Sequence, residues 1–450
     1  MTEQGLLSGL FSNGPVAAQA SDIALLQAML DVEVALMRAL AKAGLAPAGA
    51  ADEVAGVADA STFDVAAIGR GSADQGTPVP AMLSALRSQL SDDAAAHLHQ
   101  GATSQDIVDT ALMLVAQRAL VPLLDDIAAA GDACAGLAGR HRSTLAPGRT
   151  LLQHALPLTF GIKAATWLSG LDGGFAELLE VSERVLAVQL FGAVGTLAAL
   201  GDRGLEVMSA VAEELGLAEP VLAWHTIRLR PARLSTALGS ALGVMGKVAR
   251  DVVLLAQTEV AEAAEGAGEG RGGSSTMPHK RNPVGAMAVI ACAQRAPGLV
   301  ATILGAMGQE HERAAGAWQA EWEPLLELLR LAGSAAANLR ALLEGLDVDA
   351  DRMRADLDAT GELVMSESVA AALSESIGRP ASQELVAAAA AASARDGRAF
   401  REVLADTPEV FDVLGHDGLE AALDPRRYLG ATDELIARAL AEHARLRGRA

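Results

Sequence analysis

Aromatic side chains are scarce: they make up 3% of the 450 residues, with seven Phe, four Trp and one Tyr. A chain that is 51% hydrophobic must then build its core from Ala, Leu and Val packed at close range. Basic residues are outnumbered by acidic ones, 35 to 56, for a formal charge of −21. That imbalance argues against a nucleic-acid partner, since phosphate binding rests on clustered Lys and Arg. It leaves room for a small anionic substrate, which needs only a local positive pocket. Cys134 and Cys292 are the only cysteines; they lack metal-ligand spacing and are too few for a disulfide framework. No metal is expected. The opening "MTEQGLLSGLFSNGP" has no basic segment leading into an apolar one, and no apolar run of about 18 residues follows later. The expectation is a cytoplasmic protein with no signal peptide, membrane span or membrane partner.

What the chain does have is helical periodicity. Ile23, Leu26, Leu30, Val34, Met37 and Leu40 recur at steps of three and four, with Ser21 or Asp22 to cap the start and Gly44 to close the end. A second helix is expected from near Asp106 toward Pro122, and a third after Pro157. The longest is expected from Pro231 to about Glu265, with a stripe of Leu234, Leu238, Leu242, Met245, Val252 and Leu255. At ~1.5 Å per residue it would reach about 50 Å, too long for one small domain to cover. No period-2 segment and no internal repeat is evident, so an all-α, elongated bundle completed by other subunits is expected, with little strand. Shorter helices and more breaks set in near Asp356. The division expected is 1–105, a central 106–355 and a terminal 356–450.

Four polar islands interrupt the helices. In "HLHQGATSQD", Thr103 and Ser104 sit before a helix start, where hydroxyls and free N–H groups bind a carboxylate well. An ordinary N-cap has the same composition. In "GRTLLQHALPLTFG", Thr150, Gln153 and His154 break an apolar run; a satisfied core group is the plainer reading. In "QEHERAAGAWQAEW" the charges suit a solvated face, though Arg313 could reach an anion. The fourth, "GGSSTMPHKRNP", follows a glycine-rich stretch that must end a helix, because each Gly costs ~1 kcal/mol against Ala. It lacks the phosphate-loop spacing, and Ser274 and Ser275 have no His-Asp partners at a motif spacing. Lys280 and Arg281 supply positive charge and Asn282 an amide.

"GGSSTMPHKRNP" resembles the S-S-x-M-P-x-K-x-N loop of the fumarase/aspartase superfamily, and "GATSQD" and "GRTLLQHALPLTFG" resemble its other two shared regions, in the same order. The resemblance spans nearly the whole chain. It implies a homotetramer around a central bundle of long helices, active sites shared between three subunits, and no cofactor. It makes Ser274 the group that exchanges a proton with the carbon beside a substrate carboxylate. Lys280 and Asn282 would bind that carboxylate and stabilise the aci-carboxylate. Thr103, Ser104, Thr150 and Gln153 match substrate-binding positions, and His99 matches a histidine of the adenylosuccinate lyase branch. For Ser274 to ionise, Lys280 and backbone N–H groups must lower its pKa by many units.

The second region departs from the pattern. Lyases of this family read G-R-T-H there, and the histidine serves the leaving group; here the position is Leu151, which carries no proton. His154 is a weaker catalytic candidate. A basic amine leaving group benefits from protonation by a typical 10²–10⁴-fold. A carboxylate, with a conjugate acid near pKa ~4, can depart unaided. That points to the superfamily's cycloisomerase branch, in which a carboxylate of a small tricarboxylate substrate adds to a double bond and closes a lactone. "GTPVPAMLSALR", "RAAGAWQAEWEPL" and "LDPRRYLG" resemble that branch too. Adenylosuccinate lyase or another β-elimination lyase is the alternative, and a non-catalytic homologue a further one.

Overall fold

The structure, a computed structural model, describes residues 6–266, 277 and 280–448. Six helices of 21 residues or more carry the fold among the described residues: α1 (Asp22–Lys42), α2 (Ser104–Arg140), α3 (Phe160–Arg184), α4 (Leu229–Leu255), α5 (Val284–Gly305) and α6 (Trp322–Glu344). Strand is confined to two short antiparallel pairs and one isolated bridge among those residues. The all-α class follows from the helical spacing of the apolar residues.

α1 forms where its caps place it. Ser21 Oγ accepts the Ala24 N–H at 3.2 Å. At the other end Gly44 takes φ +73°. Leu45 N–H then donates to Leu40 O at 2.8 Å and Gly44 N–H to Ala41 O at 3.0 Å, the paired bonds of a glycine C-cap.

Two helices differ from expectation. α2, not α4, is the longest at 37 residues, and it continues through Pro122. A proline inside a helix costs about 3 kcal/mol. Leu120, Leu123 and Ile127 on either side are buried, so apolar burial outweighs that cost. α4 ends at Leu255 rather than near Glu265. The residues beyond have good helix propensity but are claimed elsewhere: Arg149 pairs with the buried Glu262, and Ala263 and Ala264 pair as a short strand with Val348 and Asp347. Tertiary partners override propensity here.

A strand pair also stands where none was expected. Leu145–Thr150 (β1) and Gln153–Thr159 (β2) form a hairpin with Thr150 opposite Gln153 and Pro147 opposite Pro157. A bulge at Gly148 breaks the register, which hides the alternation in the sequence. A Cβ on Gly148 would lie 2.6 Å from Leu156 O, so only glycine fits.

The chain forms two compact units. One comprises Met1–Ala128, Gly173–Ala249 and Gly285–Arg340; the other comprises Ala129–Asp172, Arg250–Val284 and Ala341–Ala450. In the first, Leu30, Leu36, Met37, Met82, Leu86 and Ile107 are fully buried. In the second, shorter helices enclose a core of Val369, Leu373, Phe400, Leu404 and Val410.

Among the described residues two helices are long and apolar enough to cross a bilayer by length and composition, a test that the core helix of a globular fold also passes. The apolar window of α2 is 72% buried within the fold; that of α5 is only 28% buried. α5 carries Arg295 at its middle, ion-paired to Glu327 at 2.7 Å. A bilayer would charge about 2.5–3.5 kcal/mol for such a residue at its centre.

Candidate active site

In the first unit the site grows from the start of α2. Gly101, at φ +81°, turns the chain into Thr103. Asp106, one turn into the helix, accepts the Thr103 N–H at 3.1 Å and so caps the helix from inside. The same buried carboxylate accepts Gly192 N–H at 2.8 Å and lies 2.7 Å from His225 Nε2. Asp106 thus ties three segments to one point. Thr103 and Ser104 stay half-buried, and their hydroxyls have no hydrogen-bond partner among the described residues. They sit at the positive end of the longest helix dipole in the chain, a ready seat for a carboxylate.

Arg313 joins this island. Its guanidinium donates to Gln105 Oε1 at 3.2 Å and to Ala193 O at 2.8 Å. His99, four residues before Thr103, holds a positive φ of 65°. Its Nδ1 lies 2.7 Å from Oε1 of Glu33, a fully buried residue of α1. Burial pushes the His99 pKa down, but the Glu33 carboxylate, assisted by Asp106, lifts it above the ordinary value.

Beneath α2 lies a dry ion cluster. Arg228 donates to both oxygens of Asp109, at 2.8 and 2.9 Å, and to Glu321 at 2.7 Å. Trp318 Nε1 donates to Asp109 at 3.0 Å, and the Trp224 ring lies 4.9 Å from the guanidinium. Burial alone would lower the Arg228 pKa, yet the two carboxylates hold it above its usual range. Glu321 is shifted upward by burial, opposed by Arg228. Glu33, His225 and this cluster went unnoticed in the sequence: Glu33 and Asp109 lie within helices, while His225, Arg228 and Trp318 lie in turns and loops and Glu321 in a single 3-10 turn, and none stands at a motif spacing from its partner.

In the second unit the β1–β2 hairpin carries Thr150 and Gln153, both exposed, at the last pair before its turn. The turn is Leu151 and Leu152 alone, at φ +50° and +64°, and they are 95% and 71% exposed. Two-residue turns with positive φ at both positions favour Asn-Gly; two bare leucines there are strained and unsheltered. Arg149 anchors the hairpin by donating to both oxygens of buried Glu262, at 2.8 and 2.6 Å. His154, opposite Arg149, has a buried Nδ1 with no partner among the described residues. Lys280 is exposed, and the half-buried Asn282 accepts the Val284 N–H through its backbone at 2.9 Å, where α5 begins. Ser274 lies outside the described residues. Among the described residues no group of three or more His, Cys, Asp or Glu is placed to hold a metal.

The chain as a whole has counterparts among known proteins. Residues 13–298 match the Lyase family, and residues 362–439 match the adenylosuccinate lyase C-terminus. The chain is 45% identical to a 3-carboxy-cis,cis-muconate cycloisomerase of Bradyrhizobium diazoefficiens, over 97% of each chain. It is 43% identical to a nitrosuccinate lyase of Streptomyces davaonensis, over 98% of this chain and 95% of the relative. Among solved structures, the 3-carboxy-cis,cis-muconate lactonizing enzyme of Pseudomonas putida superposes with a TM-score of 0.92 at 39% identity, covering 98% of this chain and 99% of that one.

Proposed function

The chain belongs to the fumarase/aspartase superfamily of lyases, and on that premise we propose that it is a cofactor-independent cycloisomerase. It closes 3-carboxy-cis,cis-muconate to 4-carboxymuconolactone, a step of the protocatechuate branch of aromatic degradation. The observation that carries the reading is Leu151. Where relatives that expel a basic amine keep a histidine, this chain presents an exposed leucine between Thr150 and Gln153.

A reaction that makes or breaks a bond to a carboxylate oxygen dispenses with that acid. On closure, a substrate carboxylate oxygen bonds to one carbon of a double bond. The π pair moves to the adjacent carbon, which takes a proton from Ser274. In reverse the Ser274 alkoxide removes the proton and the carboxylate leaves as an anion. Closure therefore takes the trianion to a dianionic lactone with uptake of one proton, and solvent reprotonates Ser274 before the next turnover. Lys280 and Asn282 hold the carboxylate beside the carbanionic centre, whose charge the ammonium offsets. Thr103 and Ser104 at the α2 terminus, with His99, Thr150, Gln153 and Arg313, bind the remaining carboxylates. His154, whose buried Nδ1 has no partner among the described residues, is a lesser candidate for proton transfer. The separate match over 362–439 supports a terminal domain from about 356, and the start of α2 supports the boundary at 105. The exposed apolar α5 supports assembly into a homotetramer with shared sites.

A second reading has an observation of its own. The nitrosuccinate lyase relative is nearly as similar, and nitrite, like a carboxylate, is a weak base that needs no acid to leave. Loss of the conjugated diene absorbance of 3-carboxy-cis,cis-muconate, without added metal or cofactor, tests the first reading. Nitrite release from nitrosuccinate tests the second. Ser274→Ala and Lys280→Ala are each expected to lower turnover by orders of magnitude with the assembly intact. Cleavage of adenylosuccinate with no effect on the diene would overturn the cycloisomerase assignment.

A further inference from the structure

A fully buried carboxylate on an apolar helix face is costly unless both oxygens are engaged. Glu33 sits on α1 among Leu30, Leu36 and Met37, fully buried, and among the described residues only Oε1 has a partner. Oε2 is sealed from solvent and has no partner among those residues. The one partner of Oε1 is His99, which itself holds a backbone conformation disfavoured for any side chain. Two separate costs converge on a single contact. A leucine at 33 would fill the same face without burying a half-satisfied carboxylate.

We propose that Glu33 is a positioning residue of the active site, holding His99 by its Nδ1–H so that the imidazolium offers Nε2–H to a substrate carboxylate. The proposal deepens the reading of His99 as a substrate-binding group and rests on it. Nδ1 is committed to Glu33, and Nε2 has no hydrogen-bond partner among the described residues. With Nδ1–H fixed as donor, Nε2 can donate only when the ring is charged. The charged groups that bear on the ring are Glu33 on α1 and Asp106 on α2, which favour the imidazolium, and Arg87 on helix Val79–Arg87, which opposes it. An acid on one side and a free donor on the other suit an anionic ligand.

Binding by this route fails as pH rises through the His99 pKa, and Glu33 holds that limb at higher pH. Glu33→Gln keeps an acceptor for Nδ1–H but removes the charge. We expect the basic limb of kcat/KM to move down by about one pH unit or more. KM should rise roughly tenfold, with a smaller change in kcat. A merely structural residue would lower the melting temperature and leave the limb in place. The readout independent of turnover is the pH dependence of His99 carbethoxylation by diethylpyrocarbonate, followed by peptide mass spectrometry on the full chain. The midpoint should exceed the ordinary ~6.5 in the wild type and fall in Glu33→Gln. Equal midpoints, or an unmoved limb and KM, overturn the proposal. If Glu33→Gln does not fold, a wild-type midpoint at or below about 6.5 overturns it. A protein inactive on the diene sinks the proposed function, while the labelling still decides the Glu33–His99 pairing.

Discussion

Removing the guanidinium of Arg228 would strand two carboxylates in a dry interior, since Asp109 and Glu321 are buried with it. Breaking a buried pair in this way costs about 3–5 kcal/mol, because the surviving charges lose their compensation. Arg228→Met is expected to destabilise the fold by about that amount in urea titrations. A loss below about 1 kcal/mol would mean the cluster is hydrated, like a surface pair. The His99–Glu33 pair adds a smaller, pH-dependent contribution. The His99 pKa is higher folded than unfolded, so that stabilisation is whole below about pH 6.5. It is lost as pH climbs through the raised folded value. At this scale the sequence is readable only where partners are close along the chain. Thr103 and Asp106 lie three residues apart and cap one helix, whereas Glu33 and His99 are 66 apart, and Asp109 and Arg228 are 119 apart. Helical periodicity ranks a position as inward; it cannot say which distant residue awaits it there.

Among the elements, the β1–β2 hairpin departs most from local preference. Its two-residue turn calls for Asn-Gly and contains Leu151-Leu152. Replacing both by Asn-Gly should relieve strain on the order of 1 kcal/mol and raise the melting temperature. If the tip serves only as a turn, turnover will be unchanged; the proposed function expects it to fall, since Thr150 and Gln153 flank the tip. The hairpin escaped prediction because Gly148 bulges the register and prolines occupy paired positions, so no alternation survives. α4 was overextended for a different reason: "AQTEVAEAAE" favours helix locally, and Glu262 is drawn away by Arg149, more than a hundred residues distant. α1, by contrast, was legible in its bounds and caps, which lie within one contiguous segment, although Ile23 of the expected stripe is exposed and Glu33 turns inward.

For the whole molecule, α5 is the surface that calls for a partner. Met287 and Leu304 are exposed on a helix whose apolar window is mostly uncovered. Paired Met287→Glu and Leu304→Glu substitutions are expected to split the assembly into smaller species in light scattering, with loss of turnover if sites are shared between subunits. An unchanged mass would place the subunit contacts elsewhere. The scarcity of aromatic rings then gains an unforeseen use. Trp224 stacks on Arg228, Trp318 donates to Asp109, and Trp322 meets Trp318 edge to face at 4.7 Å. Three of the four indoles in the chain are therefore gathered under the start of α2, and the single tyrosine, Tyr428, adds almost no background. Intrinsic fluorescence excited at the indole band becomes a label-free gauge of that buried ion cluster, with Trp167 as the one remaining indole emitter.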